Sequence, residues 1–188
     1  MLGKLLPILL ALVGLGGGVG AGLALRPAPE PDLHLEMSAD GTCPCDCAAL
    51  AEQAGVRVGI EPTSHLYADS SIVHRLADTT AVARMAGVSV IIDTFACWFD
   101  SDIEEAIADA GPLLALIQVS DYVYGDRGLP CRAVPGDGAI PFERLVPAIM
   151  ATGFTGYFDL EIIGPRLQAE GQEQGLRRAA NHIGKLLG

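Results

Sequence analysis

The feature that most constrains the fold is the alternation of short apolar runs with helical patterns after residue 46. The apolar runs are rich in β-branched residues and too short for helices, as in VSVIID, which ends at Asp93. The segments between them carry apolar residues at helical spacing and end at glycine, as at Gly111. Alternation in units of this size predicts an α/β fold with a parallel sheet and right-handed crossovers.

The alternation predicts four strand–helix units. The predicted strands are VRVGIEP (56–62), VSVIID (88–93), LLALIQVSD (113–121) and YFDLE (157–161). The predicted helices cover 70–87, 100–110, 141–153 and about 172–187. Glycines at 87, 111 and 153 follow three of these helices, which is where a helix favours glycine.

Each predicted strand closes on a side chain that carries oxygen. These side chains are Glu61, Asp93, Gln118 and Glu161. One of them alone would indicate only a solvated strand end, but the carboxyl ends of parallel strands share one edge of the sheet, where functional groups collect. Three anionic groups at one edge would be stabilised by a divalent cation. Oxygen ligands favour Mg²⁺ or Mn²⁺ over Zn²⁺ or Co²⁺.

Composition limits the classes of partner. Half of the 188 residues are hydrophobic and only 19% are charged, which predicts one substantial buried core. The formal net charge of -11 argues against nucleic acid as a partner, while an acidic chain can still bind cations.

The first part of the chain has a different composition. Residues 5–25 contain no charge and are long enough to span a bilayer, so we predict a transmembrane or signal-anchor helix over 1–26. A cleaved signal peptide is the alternative, although its apolar core is usually about 7 to 15 residues. A Pro- and Cys-rich linker is predicted over 27–47, and a globular domain over 48–188.

Three of the five cysteines form the CPCDC segment of that linker, at Cys43, Cys45 and Cys47. This spacing could bind a soft metal, but no fourth ligand is adjacent. A cysteine-rich loop before a helix is the simpler interpretation. The odd number of cysteines gives no support to a disulfide framework.

Several motifs, taken in order, resemble a known family. They are IEPTSHLYADSS, VIIDTFACW, QVSDYVYGDR, RAVPGDGAIPFERL and GFTGYFDLEIIGPR. The set is similar to the C-terminal half of the xylose isomerase-like TIM barrels, which include sugar phosphate isomerase/epimerases, ketose 3-epimerases, hydroxypyruvate isomerases and inosose dehydratases. The resemblance covers 48–188 and implies a partial (β/α)8 barrel of about four βα units, strands five to eight, preceded by the single apolar N-terminal helix.

The resemblance also implies a metal site. By motif position, Glu61, Asp93 and Glu161 match three of the family's metal ligands. Gln118 stands where many members have the histidine of an H-V-S-D sequence, and its amide oxygen could still bind a hard ion. A second departure is Ala96, where the family commonly has a histidine that contacts substrate.

Three further residues are candidates for substrate binding. Arg132 matches an arginine that holds the anionic or hydroxyl end of the substrate, although it could instead form only an ion pair with the nearby Asp137. His65 would line the mouth of the barrel or be a solvated loop residue. Trp98 would form an apolar wall beneath a sugar or pack at the strand end.

The implied activity is a divalent-metal-dependent isomerase or epimerase acting on a sugar or sugar phosphate. Glu61 and Glu161 would be the catalytic acid and base, which transfer a proton through an enediolate. The alternative is a catalytically inactive, membrane-tethered half-barrel scaffold or flagellar-associated protein. A full barrel takes about 200 to 250 residues, so a homodimer completing the barrel is also expected.

Residues 1–31 resemble the membrane anchor of the FliL flagellar basal-body proteins of α-proteobacteria. This resemblance implies attachment to a bacterial inner membrane through the N-terminal helix, with the side of the globular domain left open. If the anchor is not a true part of the enzyme, a cytoplasmic location is expected.

Overall fold

The computed structural model describes residues 47–128 and 130–188, which fall into two compact units divided between Val58 and Gly59. In the first unit the described part contains helix α1, Cys47–Gln53. The predicted anchor helix, and Cys43 and Cys45 of the CPCDC segment, lie outside the described residues. No helix in the described ranges is long and apolar enough to cross a membrane.

The second unit, Gly59–Gly188, is built on a four-stranded sheet. Its strands are β1 (Gly59–Ile60), β2 (Ser89–Asp93), β3 (Leu114–Val119) and β4 (Tyr157–Leu160). They pair in parallel in the order β1-β2-β3-β4. Sequential order with helices between the strands is the arrangement of part of a TIM barrel, and it confirms the prediction of a parallel α/β sheet.

Four helices follow the predicted pattern and two short ones do not. The first group is α2 (Leu76–Ala86), α4 (Ile103–Ala110), α5 (Phe142–Ala151) and α7 (Gln172–Leu187). The two that the sequence did not predict are α3 (Thr94–Cys97) and α6 (Pro165–Glu170). Helix α3 follows Asp93 directly and α6 begins four residues after Glu161, so both belong to the loops at the polar strand ends.

The core lies between the sheet and the helices. Alternate strand residues, such as Val90 and Ile92 on β2 and Ile117 on β3, are buried against helix residues such as Leu145. Successive side chains on a strand point to opposite faces, so Asp93 points to the other face. The register places Asp93 beside Gln118, and Gln118 beside Asp159 of β4. The helix-packed core therefore orients the polar strand ends away from the helices.

Helix α2 begins six residues later than predicted. The backbone N–H of Leu76 donates to the Asp100 carboxylate at 2.9 Å, which supplies a cap from 24 residues away. The helix ends as predicted, because Gly87 adopts the left-handed conformation with a φ of 67°.

Candidate active site

The four predicted strand-end residues meet at one end of the sheet. Asp93 is the last residue of β2, and Gln118 is its neighbour in the register. Glu61 directly follows β1, and Glu161 directly follows β4, where its N–H donates to the Val119 carbonyl at 3.2 Å. All four alternate onto the face opposite the helices. Since β1 and β4 are the outer strands, the two glutamates flank Asp93 and Gln118.

Arg132 lies inside this group. Its guanidinium donates two hydrogen bonds to Asp93, Nη1 to Oδ1 at 3.0 Å and Nη2 to Oδ2 at 2.8 Å. Nη1 also donates to Ser120 Oγ at 3.1 Å and lies 3.3 Å from Glu161 Oε2, an ion pair without hydrogen-bond geometry. Its central carbon lies 4.8 Å from the centre of the Phe95 ring. The guanidinium therefore bridges two of the predicted metal ligands.

The alternative prediction for Arg132, an ion pair with Asp137, is wrong. Asp137 pairs with Arg178 of α7 at 2.7 and 2.8 Å. Arg178 also holds Glu170, so Asp137 belongs to a surface network away from the guanidinium of Arg132.

Several buried oxygens of the site have no hydrogen-bond partner. In the part of the chain that the structure describes, four buried side-chain polar atoms have no hydrogen-bond partner. Three of the four are Glu61 Oε2, Gln118 Oε1 and Glu161 Oε2. Native proteins leave few such atoms unpaired, because desolvation without a partner is unfavourable. Their coincidence with three predicted ligands indicates that this site is built to receive a group.

The donor set fits a hard divalent cation, because it consists of carboxylate and amide oxygens. As arranged, however, no three His, Cys, Asp or Glu side chains within 47–128 and 130–188 form a group that could hold a metal ion. In this arrangement Arg132 donates a hydrogen bond to each of the two carboxylate oxygens of Asp93.

Burial also changes the acidity of the two glutamates. It raises the pKa of Glu61 to about 7, with help from the charges of Asp93 and Glu161, while Arg132 and a hydrogen bond with Gln118 oppose the rise. Burial likewise raises the pKa of Glu161 to about 7, against the opposing charge of Arg132. Burial acts to lower the pKa of Arg132, but the surrounding carboxylates hold it above its usual value. Near neutral pH both glutamates can therefore accept or release a proton.

The loop that carries Arg132 is held by Asp121. This buried carboxylate accepts backbone N–H groups from Tyr122, Gly136, Gly138 and Ile140 at 2.8 to 3.0 Å. A Cβ at Gly138 would lie 2.3 Å from the Tyr122 carbonyl and 2.4 Å from an Asp121 oxygen, so only glycine fits there. Asp121 and Ala133 also exchange two backbone hydrogen bonds of 2.8 Å, directly beside Arg132.

The other two predicted substrate contacts lie in an aromatic group. Trp98 is half-buried and packs edge-on against Phe99 and Tyr124. The exposed His65 lies on a short 3₁₀ turn and packs against His74 with the rings tilted by 38° and their centres 5.1 Å apart. The ring contacts of His65 therefore run to its own loop and to Phe99 rather than to the four strand-end residues.

Sequence reasoning missed three neighbours of Arg132. They are Ser120 and Phe95, which touch the guanidinium, and Tyr67, whose pKa is raised mainly by burial, with the charge of Arg132 opposing the rise. Each lies inside one of the family-like motifs, two or six residues from a predicted ligand. This closeness in sequence to a predicted ligand is the signal by which they could be found. Ala96 is buried and presents no polar group in place of the family's histidine.

Comparison with known proteins agrees with the fold. The sequence model of the xylose isomerase-like TIM barrel family matches residues 15–186. The chain belongs to this family. The match begins inside the apolar N-terminal segment, and no comparison supports the FliL-like anchor. No curated protein matches the chain.

Three solved structures are similar to this chain in fold. Protein SMc04130 from Sinorhizobium meliloti 1021 is 26% identical, with a TM-score of 0.67, over 72% of this chain and 52% of that protein. D-psicose 3-epimerase from Clostridium cellulolyticum H10 is 20% identical, with a TM-score of 0.57, over 74% and 51%. The IOLI protein, solved with a zinc atom, is 20% identical, with a TM-score of 0.61, over 74% and 53%. The chain thus spans about half the length of each.

Proposed function

We propose that this chain is a divalent-metal-dependent isomerase or epimerase that acts on a sugar or sugar phosphate. The observation that carries the proposal is the pair Glu61 and Glu161. Each has a buried oxygen without a hydrogen-bond partner and a pKa of about 7, and together they flank the end of the sheet. The similarity to D-psicose 3-epimerase supports the assignment, because the name of that protein describes an epimerase that acts on a sugar.

Glu61, Asp93, Gln118 and Glu161 would hold the cation. When bound there, a divalent cation supplies Lewis-acid polarisation of a carbonyl group. Oxygen donors favour Mn²⁺ or Mg²⁺, and the zinc in the IOLI protein supports a divalent ion in general.

The chain's own side chains would carry the proton. One glutamate removes the proton from the carbon beside the substrate carbonyl, which leaves an enediolate. The other delivers a proton to the neighbouring carbon, giving isomerisation, or to the opposite face, giving epimerisation. A pKa near 7 suits both roles, because each glutamate then exists in both protonation states at neutral pH.

Arg132, Trp98 and His65 would bind the substrate. The guanidinium fork matches a phosphate or a pair of hydroxyl oxygens. Trp98, with Phe99 and Tyr124 around it, offers an aromatic face against which a sugar ring can pack. His65 lies on the loop after β1, where it would line the mouth.

Solvent deuterium exchange tests this proposal. The full chain is incubated with Mn²⁺ and a panel of ketopentoses, ketohexoses and their phosphates in deuterated water. We expect NMR to show deuterium at the carbon beside the carbonyl of at least one sugar. Glu61→Gln and Glu161→Gln should each lower the rate by 10²-fold or more, because general acid–base catalysis contributes about that much.

The matched control is Glu173→Gln. Glu173 is exposed on α7 and forms an ion pair with Arg177, so its loss should leave the exchange rate unchanged. A folded wild-type chain that binds Mn²⁺ and exchanges no proton on any of these sugars overturns the proposal. That result would instead support the inactive half-barrel scaffold.

A further inference from the structure

Arg132 is held tightly among the carboxylates. Its side chain is 18% exposed, its nitrogens contact Asp93, Glu161 and Ser120, and its central carbon lies over the Phe95 ring. The two hydrogen bonds to Asp93 use both carboxylate oxygens, and the backbone N–H of Phe95 also donates to Oδ1 at 3.0 Å. Asp93 therefore has little capacity left to bind a cation while this arrangement persists.

Charge explains why the arginine lies there. Glu61, Asp93 and Glu161 bring three carboxyl groups to one buried site, and Arg132 is the cation that contacts two of them. A buried carboxylate without a cation or hydrogen-bond donors is strongly unfavourable. Arg132 thus supplies part of the neutralisation that a bound divalent ion would supply.

We infer that Arg132 is an internal competitor of the divalent cation: it holds Asp93 and Glu161 until the metal binds, and only then becomes free to bind substrate. This inference rests on the proposed function and extends it to the order of binding. Release of the guanidinium from Asp93 would be the condition for a cation to bind there. The freed fork of Arg132 would then be available to the oxygens of the sugar or phosphate, so productive substrate binding would require prior metal binding.

Mn²⁺ affinity tests the competition without measuring turnover. Free Mn²⁺ is followed by electron paramagnetic resonance during titration of the full-length wild type and the Arg132→Gln variant. Because the variant has no guanidinium to displace, we expect it to bind Mn²⁺ at least tenfold more tightly. Arg132→Lys keeps the charge but cannot engage both oxygens of Asp93, so its affinity should be intermediate. The lysine variant decides the question if the glutamine variant does not fold.

The matched control is Arg166→Gln. Arg166 forms the same kind of two-hydrogen-bond pair with Asp126 on the surface, so its removal should leave Mn²⁺ affinity unchanged. Equal or weaker binding by the Arg132 variants overturns the inference, as does a failure of wild type and variants alike to bind Mn²⁺. Because affinity is measured without substrate, the inference can fail while the deuterium exchange of the proposed function stands.

Thermal unfolding gives a second readout. In EDTA, Arg132→Gln should lower the unfolding midpoint, because it removes the only guanidinium that contacts Asp93 in the described structure. In saturating Mn²⁺ the loss should shrink to less than half, since the metal replaces the missing charge. An equal loss in both conditions would mean that Arg132 is a permanent structural ion pair, and it would contradict the competition.

Discussion

The carboxylate of Asp93, at the end of β2, makes contacts of two kinds. Its carboxylate accepts the backbone N–H of Phe95 at the start of α3, and it also binds the fork of Arg132. The neighbouring glutamates are only partly neutralised by that arginine, which is why burial dominates their pKa values. The pKa of each glutamate in this site therefore depends on its burial and on the charges around it.

The metal-free chain should lose stability as the pH rises from about 4.5 to about 7. In this range the folded state keeps Glu61 and Glu161 protonated while the unfolded chain has released those protons, so the folded state binds more protons. The free energy of unfolding then falls with increasing pH, by on the order of 2 kcal/mol for each group. Urea unfolding in EDTA across this range measures the slope.

The Glu61→Gln/Glu161→Gln double variant serves as the reference for that slope. It lacks both titrating groups, so the difference from wild type isolates them from the surface ion pairs that titrate at lower pH. A difference in stability that does not change between pH 4.5 and 7 would contradict the raised pKa values.

Elements of this fold are stabilised by side chains that are distant in sequence. Helix α2 begins where Asp100 receives the N–H of Leu76, and the loop after Arg132 is closed around the carboxylate of Asp121. In both cases a buried acid replaces a local cap or turn residue. Asp121 therefore acts as a positioning residue for Arg132 through the loop backbone.

Asp121→Asn should destabilise the fold by about 3 kcal/mol. The amide keeps the shape but turns one acceptor oxygen into a donor that faces backbone N–H groups, which leaves buried donors unpaired. Denaturant unfolding measures the loss. Asp69→Asn, at an exposed position, is the control and should change stability by less than about 0.5 kcal/mol. Equal stability of the two variants would rule out the anchoring role.

Two glycine substitutions should act in opposite directions. Gly184 lies exposed within α7 with open space around its position, so Gly184→Ala should stabilise the chain by about 1 kcal/mol. Gly138→Ala should destabilise it by more than about 3 kcal/mol, because the methyl group would overlap the Tyr122 carbonyl and Asp121. Thermal unfolding of both variants checks the signs. Tolerance of alanine at position 138 would show that the loop can shift.

At the scale of the whole molecule, the described sheet has two open edges. β1 and β4 each pair with one strand, and Tyr157, on the same face as Gln118, is 71% exposed. A closed barrel covers such edges, and the chain spans about half of its solved relatives. The homodimer that would complete the barrel stays a prediction, as does attachment to a membrane through residues 1–26.

If two copies complete one barrel, the full chain should sediment as a dimer at micromolar concentrations. Tyr157→Asp should shift it toward monomer, because a second charge beside Asp159 disfavours burial of that face. Tyr124→Asp is the control, since Tyr124 is similarly exposed but lies in the loop after β3. Analytical ultracentrifugation measures both. A folded monomer at every concentration would contradict the predicted dimer.

The sequence by itself determined the parallel sheet, the four main helices and the four polar strand ends. Periodicity, helix-ending glycines such as Gly87 and the change from apolar to polar at Asp93 depend on neighbouring residues, so they can be read locally. Only the tertiary structure decided that Arg132 binds Asp93, 39 residues away, rather than Asp137. The ion-pair partner of a buried charge depends on which strands and loops the fold brings together. Contacts between residues so far apart in the chain leave no local pattern in the sequence.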